Sequence, residues 1–304
     1  MRTRQLAGYL GLAMVLTACA STEFSIPAVT GSTAGVRQPG KVIWHDLLTD
    51  TPAATRAFYA GLFGWEFEPL EGVNYTLIRH QGELIGGMVD QNQLPATADI
   101  SQWVVLFAVN DVELATRRLR EAGGTVFTPP TSLGQRGTIA VVADPQGAVL
   151  ALLETRDGDP PDEDDLPPAG RFLWNELWTG EVDAAARFYT SLVSLSVQSV
   201  PLETGGEPIE YRILAAGERP RAGVRSQPVE DLDPRWVSYL RVADEAEMTA
   251  ILSRVGSLGG QVVVPATARP EGGLVAIITG PSGAGIALQT WEPGQALAKG
   301  RKSL

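Results

Sequence analysis

Hydrophobic and polar positions along the chain change period in a regular order. Residues 41–48 alternate large apolar with polar side chains, as a half-buried strand requires. Residues 52–63 follow with Ala, Phe and Leu at helical spacing. Residues 75–79 and 83–88 read as strands of a meander. The order then repeats: a strand at 103–109, a helix at 112–122 stopped by Gly123-Gly124, and strands at 138–142 and 148–153. The last two are joined by a turn at Asp144-Pro145-Gln146-Gly147. Each half is a βαβββ unit.

The whole pattern occurs twice. Residues 42–63 and 172–193 agree at seven of 22 positions, Trp44/Trp174, Phe58/Phe188 and Tyr59/Tyr189 among them. Further on, Tyr75 matches Tyr211, Gly87 matches Gly223 and Trp103 matches Trp236. Collinear matches with small gaps mark a duplicated domain, and the chain therefore predicts four units. The expected organisation is a signal peptide at 1–18, a tether at 19–40, a first domain at 41–154, a linker at 155–169, a second domain at 170–292 and a tail at 293–304. Ser, Thr, Gly, Ala and Pro dominate the tether, which predicts little packing. Acidic residues and prolines dominate the linker, Asp159, Asp162 and Asp165 among them, which predicts a solvated connection.

Composition narrows the chemistry. The 304 residues carry a net charge of −11, which argues against a phosphate-tracking nucleic-acid binder. One cysteine and two histidines exclude an intrachain disulfide, a zinc finger and a Cys-His nucleophile pair. Any metal site would rest mainly on carboxylates. The N-terminus has Arg2 and Arg4, an apolar run at 6–16 and then Leu16-Thr17-Ala18-Cys19. That tetrapeptide resembles the bacterial lipoprotein box. The resemblance implies a lipid on Cys19 and an exported body that touches the membrane through the lipid alone. Ala20 next to it favours the outer membrane, where the source has one.

Phe58-Tyr59-x-x-Leu62-Phe63-Gly64-Trp65, Val109-x-Asp111 before a helix, and Asp144-Pro145-Gln146-Gly147 together resemble the vicinal oxygen chelate superfamily. Its members include glyoxalase I, bleomycin-resistance proteins and extradiol dioxygenases. The resemblance implies an α+β fold of two tandem domains, each of two βαβββ units forming a cupped mixed sheet. It also implies metal-ligand positions inside each cup. Carried over by spacing, they fall on Trp44, Val104 and Ala151, and near Gly86, in the first copy. In the second they fall on Trp174, Val237 and Ala287, and on Ala222 or Gly223. None of these side chains coordinates a metal. No metal and no cofactor is therefore expected, and no catalytic residue is assigned. His45 lies one residue off a ligand position, which turns it to the opposite sheet face. It reads as a structural histidine beneath the helix.

Alternation places Trp44, Asp46 and Leu48 inside the first cup among apolar neighbours. In the second cup it places Trp174, Glu176, Trp178, Tyr239, Arg241 and Gln289. An aromatic wall with a carboxylate suits a planar cationic or amphipathic ligand. The second cup, being more polar, is the better binding candidate. The expected function is metal-free binding of a small molecule. The alternatives are a metal-dependent lyase or dioxygenase and a non-catalytic envelope interaction protein.

Overall fold

The computed structural model describes residues 25–31, 35–94, 100–202, 209–228, 232–269 and 272–291. Cys19, the signal peptide and the tail lie outside the described residues. The first unit comprises β1 (Val42–Thr49), α1 (Pro52–Phe63), β2 (Glu66–Pro69), β3 (Thr76–His80) and β4 (Glu83–Asp90). The next comprises β5 (Gln102–Ala108), α2 (Val112–Glu121), β6 (Thr125–Ser132), β7 (Gly137–Ala143) and β8 (Val149–Thr155). The second copy repeats this as β9 (Phe172–Thr179), α3 (Val182–Val193), β10 (Ser196–Leu202), β11 (Ile209–Ala216) and β12 (Arg219–Ser226). It closes with β13 (Arg235–Val242), α4 (Glu245–Val255), β14 (Gln261–Ala268), β15 (Leu274–Thr279) and β16 (Gly285–Thr290).

Each copy forms one eight-stranded mixed sheet, ordered β2-β3-β4-β1-β5-β8-β7-β6 and β10-β11-β12-β9-β13-β16-β15-β14. In each sheet the two units meet through an antiparallel pair, β1 with β5 and β9 with β13. Within each unit the first and last strands run parallel. This is the predicted α+β architecture.

The helix ends follow from local chemistry. α1 begins with a proline and stops where Gly64 turns left-handed at φ 69° and its N–H reaches the Ala60 carbonyl. Ser194 takes the same left-handed place after α3, at φ 56°. Asp111 and Asp244 cap α2 and α4 by accepting the N–H groups of Leu114 and Glu247.

The two sheets pack back to back with the helices between them. One core joins β5, α2 and β8 of the first copy to β9, α3 and β12 of the second, through residues such as Phe107, Leu119, Leu152, Leu177 and Tyr189. The mirror core joins α1 and β1 to α4, β13 and β16, through Leu47, Phe58, Leu240, Met248 and Leu288. Each copy thus buries the outer face of the other, and the two concave faces turn away from each other. The family-like motifs serve this junction. The Asp144 carboxylate accepts backbone N–H groups of its own turn and the Tyr189 hydroxyl of the other copy at 3.0 Å. The Trp65 indole donates to the Gly170 carbonyl at 2.8 Å.

His45 lies on this junction, on the sheet face opposite the cup. Its ring stacks on Phe172 at 3.6 Å, and its Nε2 meets Asn175 Oδ1 at 2.9 Å. Burial pushes its pKa down to about 4, against the bond to Asn175.

Two stretches are more ordered than their composition predicts. The segment read as a tether is fixed over residues 25–31 and 35–40. Ile26 and Val29 enter the core of the first cup, and the Ile26 N–H bonds to the Leu133 carbonyl. Tertiary contact wins there over weak local propensity. The acidic linker is exposed at Glu163, Asp164 and Asp165, as predicted, but is pinned at Asp162, which meets Lys41 at 3.3 Å and Arg221 at 2.5 Å. Asp159 is buried and accepts from the Gln38 N–H and the Thr155 hydroxyl.

Candidate functional site

Strand alternation delivers the predicted residues to the cups, and neighbouring strands complete them. In the first cup Trp44 pairs across to Leu106, Asp46 pairs to Val104 and to Gly87, and Leu106 pairs on to Ala151. The Trp44 indole donates to Asp46 Oδ1 at 2.9 Å and to the Tyr75 hydroxyl at 2.9 Å. The Tyr75 hydroxyl donates to Asp46 Oδ1 at 2.5 Å and accepts from Arg136 at 2.7 Å. The Arg136 guanidinium lies over the Trp44 ring at 4.1 Å. Burial raises the pKa of Asp46, opposed chiefly by the charge of Arg136. It also pushes the Tyr75 hydroxyl up, so that phenol stays protonated.

The second cup is built on the same plan. The Trp174 indole donates to the Tyr211 hydroxyl at 2.9 Å, and that hydroxyl donates to Glu176 Oε1 at 2.9 Å. The other carboxylate oxygen accepts from Tyr239 at 2.5 Å and from the Trp178 indole at 3.2 Å. Arg269 approaches Glu176 at 3.9 Å and donates to Gln289 Oε1 at 2.9 Å. Burial holds both Tyr211 and Tyr239 well above the ordinary phenol range.

Five of the six residues expected in this cup, Trp174, Glu176, Trp178, Tyr239 and Gln289, therefore join one network. Arg241 does not join it: it shares the cup face beside Gln289, but its guanidinium donates to the Pro167 carbonyl of the linker. Glu176 is fully buried with both oxygens engaged. The carboxylate expected to face a cationic ligand is thus committed to its own neighbours.

The positions at which the superfamily resemblance implies metal ligands do not fit a metal. They hold indoles, valines and alanines, and the position on the last strand of the first unit in each copy resolves to Gly87 and Gly223. These glycines pair with Asp46 and Glu176, whereas Gly86 faces the His45 carbonyl. A Cβ on Gly87 would lie 1.9 Å from the Tyr75 hydroxyl oxygen, and one on Gly223 would lie 2.0 Å from that of Tyr211. The phenols therefore occupy the room at the floor of each cup. Among the described residues no group of three or more His, Cys, Asp or Glu side chains could hold a metal ion.

The sequence reading missed Arg136 and Arg269, which loops bring in, and passed over Tyr75 and Tyr211. A signal for the tyrosines was available: both Tyr75/Tyr211 and Gly87/Gly223 recur at a spacing of 136 residues. A glycine repeated with a tyrosine reports the space that the ring needs.

The cups differ at their mouths. Over the first, the Pro27 carbonyl accepts from Arg136 Nε at 2.9 Å, and the Ser25 hydroxyl accepts the Gln135 N–H at 3.1 Å. The chain's own N-terminal segment thus covers Trp44 and Arg136, which are 3% and 1% exposed.

Residues 41–152 match the sequence model of the Glyoxalase/Bleomycin resistance protein/Dioxygenase superfamily. The match covers the first copy, and the second copy repeats its strand order. Among curated relatives, CFP32 of Mycobacterium tuberculosis, which bears a provisional glyoxylase name, is 29% identical over 245 residues, covering 79% of this chain and 91% of that protein. The anthracycline biosynthesis protein DnrV of Streptomyces peucetius is 29% identical over 286 residues, covering 87% and 98%. Among solved structures, the Mn(II)-bound glyoxalase from Novosphingobium aromaticivorans superposes with a TM-score of 0.57 at 14% identity, covering 84% of this chain and 83% of that one. The substrate complex of homoprotocatechuate 2,3-dioxygenase from Brevibacterium fuscum gives 0.58 at 14%, covering 89% and 88%.

Proposed function

We propose that this chain is an exported protein, held to the cell envelope by a lipid on Cys19, that binds a small planar molecule in its second cup without a metal. The observation that carries the reading is the Trp174–Glu176–Tyr211–Tyr239–Arg269 network, which puts aromatic walls and directional polar groups where the superfamily's ligand positions fall. A binding site needs such a mixture. The first cup offers less, because Ile26, Pro27 and Val29 already lie against Trp44, Arg136 and their neighbours. A relative named for anthracycline biosynthesis suits an aromatic ligand. The anchor is supported by the lipoprotein-like Leu16-Thr17-Ala18-Cys19 after a short apolar run.

Native mass spectrometry of the purified full chain tests both parts. The expected result is an acylated Cys19 and a small molecule that survives dialysis against a chelator. Trp174→Ala should weaken its retention by roughly two- to thirtyfold, the worth of one lost cation–π or stacking contact. A ligand lost with a metal, or retained unchanged by Trp174→Ala, overturns the binding reading. An unmodified Cys19 on membrane-associated protein overturns the anchor.

A further inference from the structure

A second concavity of the first copy lies outside its cup. It is a cleft of about 660 Å³ where the N-terminal segment, at Ser25 and Arg37, meets the β6–β7 connection, the start of β7 and the end of β8. That volume suits a small molecule. Among the described residues its lining is polar, charged or glycine throughout. Thr138 and Glu154 stand opposite each other on β7 and β8. Gly137 brings the two strands together there: its φ is 117°, and a Cβ on it would lie 2.0 Å from the Glu154 carbonyl oxygen.

The fold uses only some of these groups. The Ser25 and Ser132 hydroxyls accept the N–H groups of Gln135 and Gly134. Arg37 donates to the Thr155 carbonyl and hydroxyl, and one Glu154 oxygen accepts the Val112 N–H at 3.0 Å. Among the described residues no hydrogen bond engages the Thr138 hydroxyl, the Gln135 carboxamide, the other Glu154 oxygen or the Arg156 guanidinium. The second copy shows that the fold does not require this set. At the 136-residue spacing Thr138, Glu154 and Thr155 correspond to Leu274, Thr290 and Trp291, and the Thr290 hydroxyl simply accepts the Leu274 N–H.

We propose that this cleft binds an uncharged, polyhydroxylated molecule of sugar size. The unused groups comprise an acceptor on Glu154, donors on Arg156, and two groups, Thr138 and Gln135, that can do both. A ligand that satisfies all of them must donate and accept at closely spaced positions, as neighbouring hydroxyls do. Arg37 and Arg156 supply two positive charges. Glu154, together with Asp157 at 3.9 Å from Arg156, supplies two negative ones, so an ion of either sign meets repulsion as well as attraction. No aromatic or aliphatic side chain among the described lining residues offers a wall to an apolar ring. The site is separate from the second cup and does not depend on it.

Ligand-observed NMR titration of the full chain tests this with probes that share a six-membered ring. They are the methyl glycosides of glucose, galactose and mannose, with glucuronate, glucosamine and cyclohexylmethanol. The best methyl glycoside should bind at least fivefold more tightly than each of the last three. Thr138→Val and Arg156→Met should each weaken it by about two- to twelvefold, the worth of one hydrogen bond. If glucuronate or glucosamine binds tightest, the uncharged class is overturned. If cyclohexylmethanol binds as well as the glycosides, recognition through hydroxyls is overturned. If no probe binds, or if both variants bind the glycoside unchanged, the cleft is overturned as a site. Loss of glycoside binding in Trp174→Ala would place the sugar in the second cup and overturn the cleft equally. The Arg156 side chain is 64% exposed, so its replacement keeps the test open should Thr138→Val fail to fold.

Discussion

In the first cup the Arg136 guanidinium is clamped between the Trp44 ring and the Pro27 carbonyl, and aliphatic side chains surround it. In the second, the Arg269 side chain is 14% exposed and faces Glu176, Gln289 and Tyr239. The equivalents of Leu106 and Leu153 there are Tyr239 and Gln289. Both cups keep the indole–carboxylate–phenol core. One copy thus has its own N-terminal segment packed over an apolar cup, while the other fills the same face with a buried polar network. On the function proposed above, a shared core with divergent rims separates a structural task from a binding task.

The hardest blow to this contrast would come from Trp44. Replacing it with alanine should cost ~3–5 kcal/mol in urea unfolding, as for other buried aromatic truncations, and leave retention of the second cup's small molecule unchanged. Trp174→Ala should cost less stability and more affinity, since among the described residues no main-chain segment is clamped upon it. Equal stability losses would show that the cups are energetically alike.

Acid tests the junction between the cups. The folded pKa of His45, about 4, lies below the ordinary value of 6.5. The unfolded chain therefore binds the proton first. The contribution is complete above pH 6.5 and is lost as pH falls toward 4, amounting to about 3 kcal/mol. Urea midpoints at pH 7 and pH 4.5 should show this slope, and His45→Gln should flatten it. Asp46 works with the opposite sign, its folded pKa being raised. The variant, rather than the whole titration, therefore isolates His45. An unchanged slope in His45→Gln would mean that the junction does not govern acid stability.

Smaller effects separate the floors. Gly87→Ala and Gly223→Ala each force a methyl into a phenol oxygen and should cost ~1–3 kcal/mol. Adding Tyr75→Phe to Gly87→Ala should restore part of the loss. Only Gly223→Ala should also weaken retention of the small molecule proposed for the second cup. Smallest of all is the expected effect of chelator: the thermal midpoint should barely move, because the described residues offer no cluster of ligands through which a metal would stabilise the fold. A larger shift would return a metal to the cups and dissolve the comparison.

The sequence made the skeleton of this arrangement legible because periodicity reports burial directly. α1 spans the predicted residues, and Trp44, Asp46, Trp174 and Glu176 share the predicted faces. The pattern was silent on β2 and β6, both edge strands. The first has four mostly exposed residues, and the second carries Pro129 and Pro130, tolerated where one side of the ladder is unpaired. The arginines were invisible because a loop, unlike a strand, fixes no face. Ile26 and Val29 sit among Ser, Pro and Gly with no period to betray them, and only the finished cup gives them somewhere to go.

The contact between His45 and Asn175 carries one more consequence. The two positions are counterparts in the repeat, 130 residues apart, yet they meet each other at 2.9 Å. A residue that touches its own counterpart lies beside the two-fold axis of the pair. In a dimer of identical domains such a position must face itself, whatever residue it holds. Fusion into one polypeptide lifts that constraint and permits an unlike couple, here an imidazole and an amide of complementary hydrogen-bonding capacity. The halves have thereby become partners of different kinds. Expressed as two polypeptides, residues 1–165 and 166–304 should select each other over themselves, because either self-pairing would bring like against like at a buried polar contact worth ~1–3 kcal/mol if left unmade.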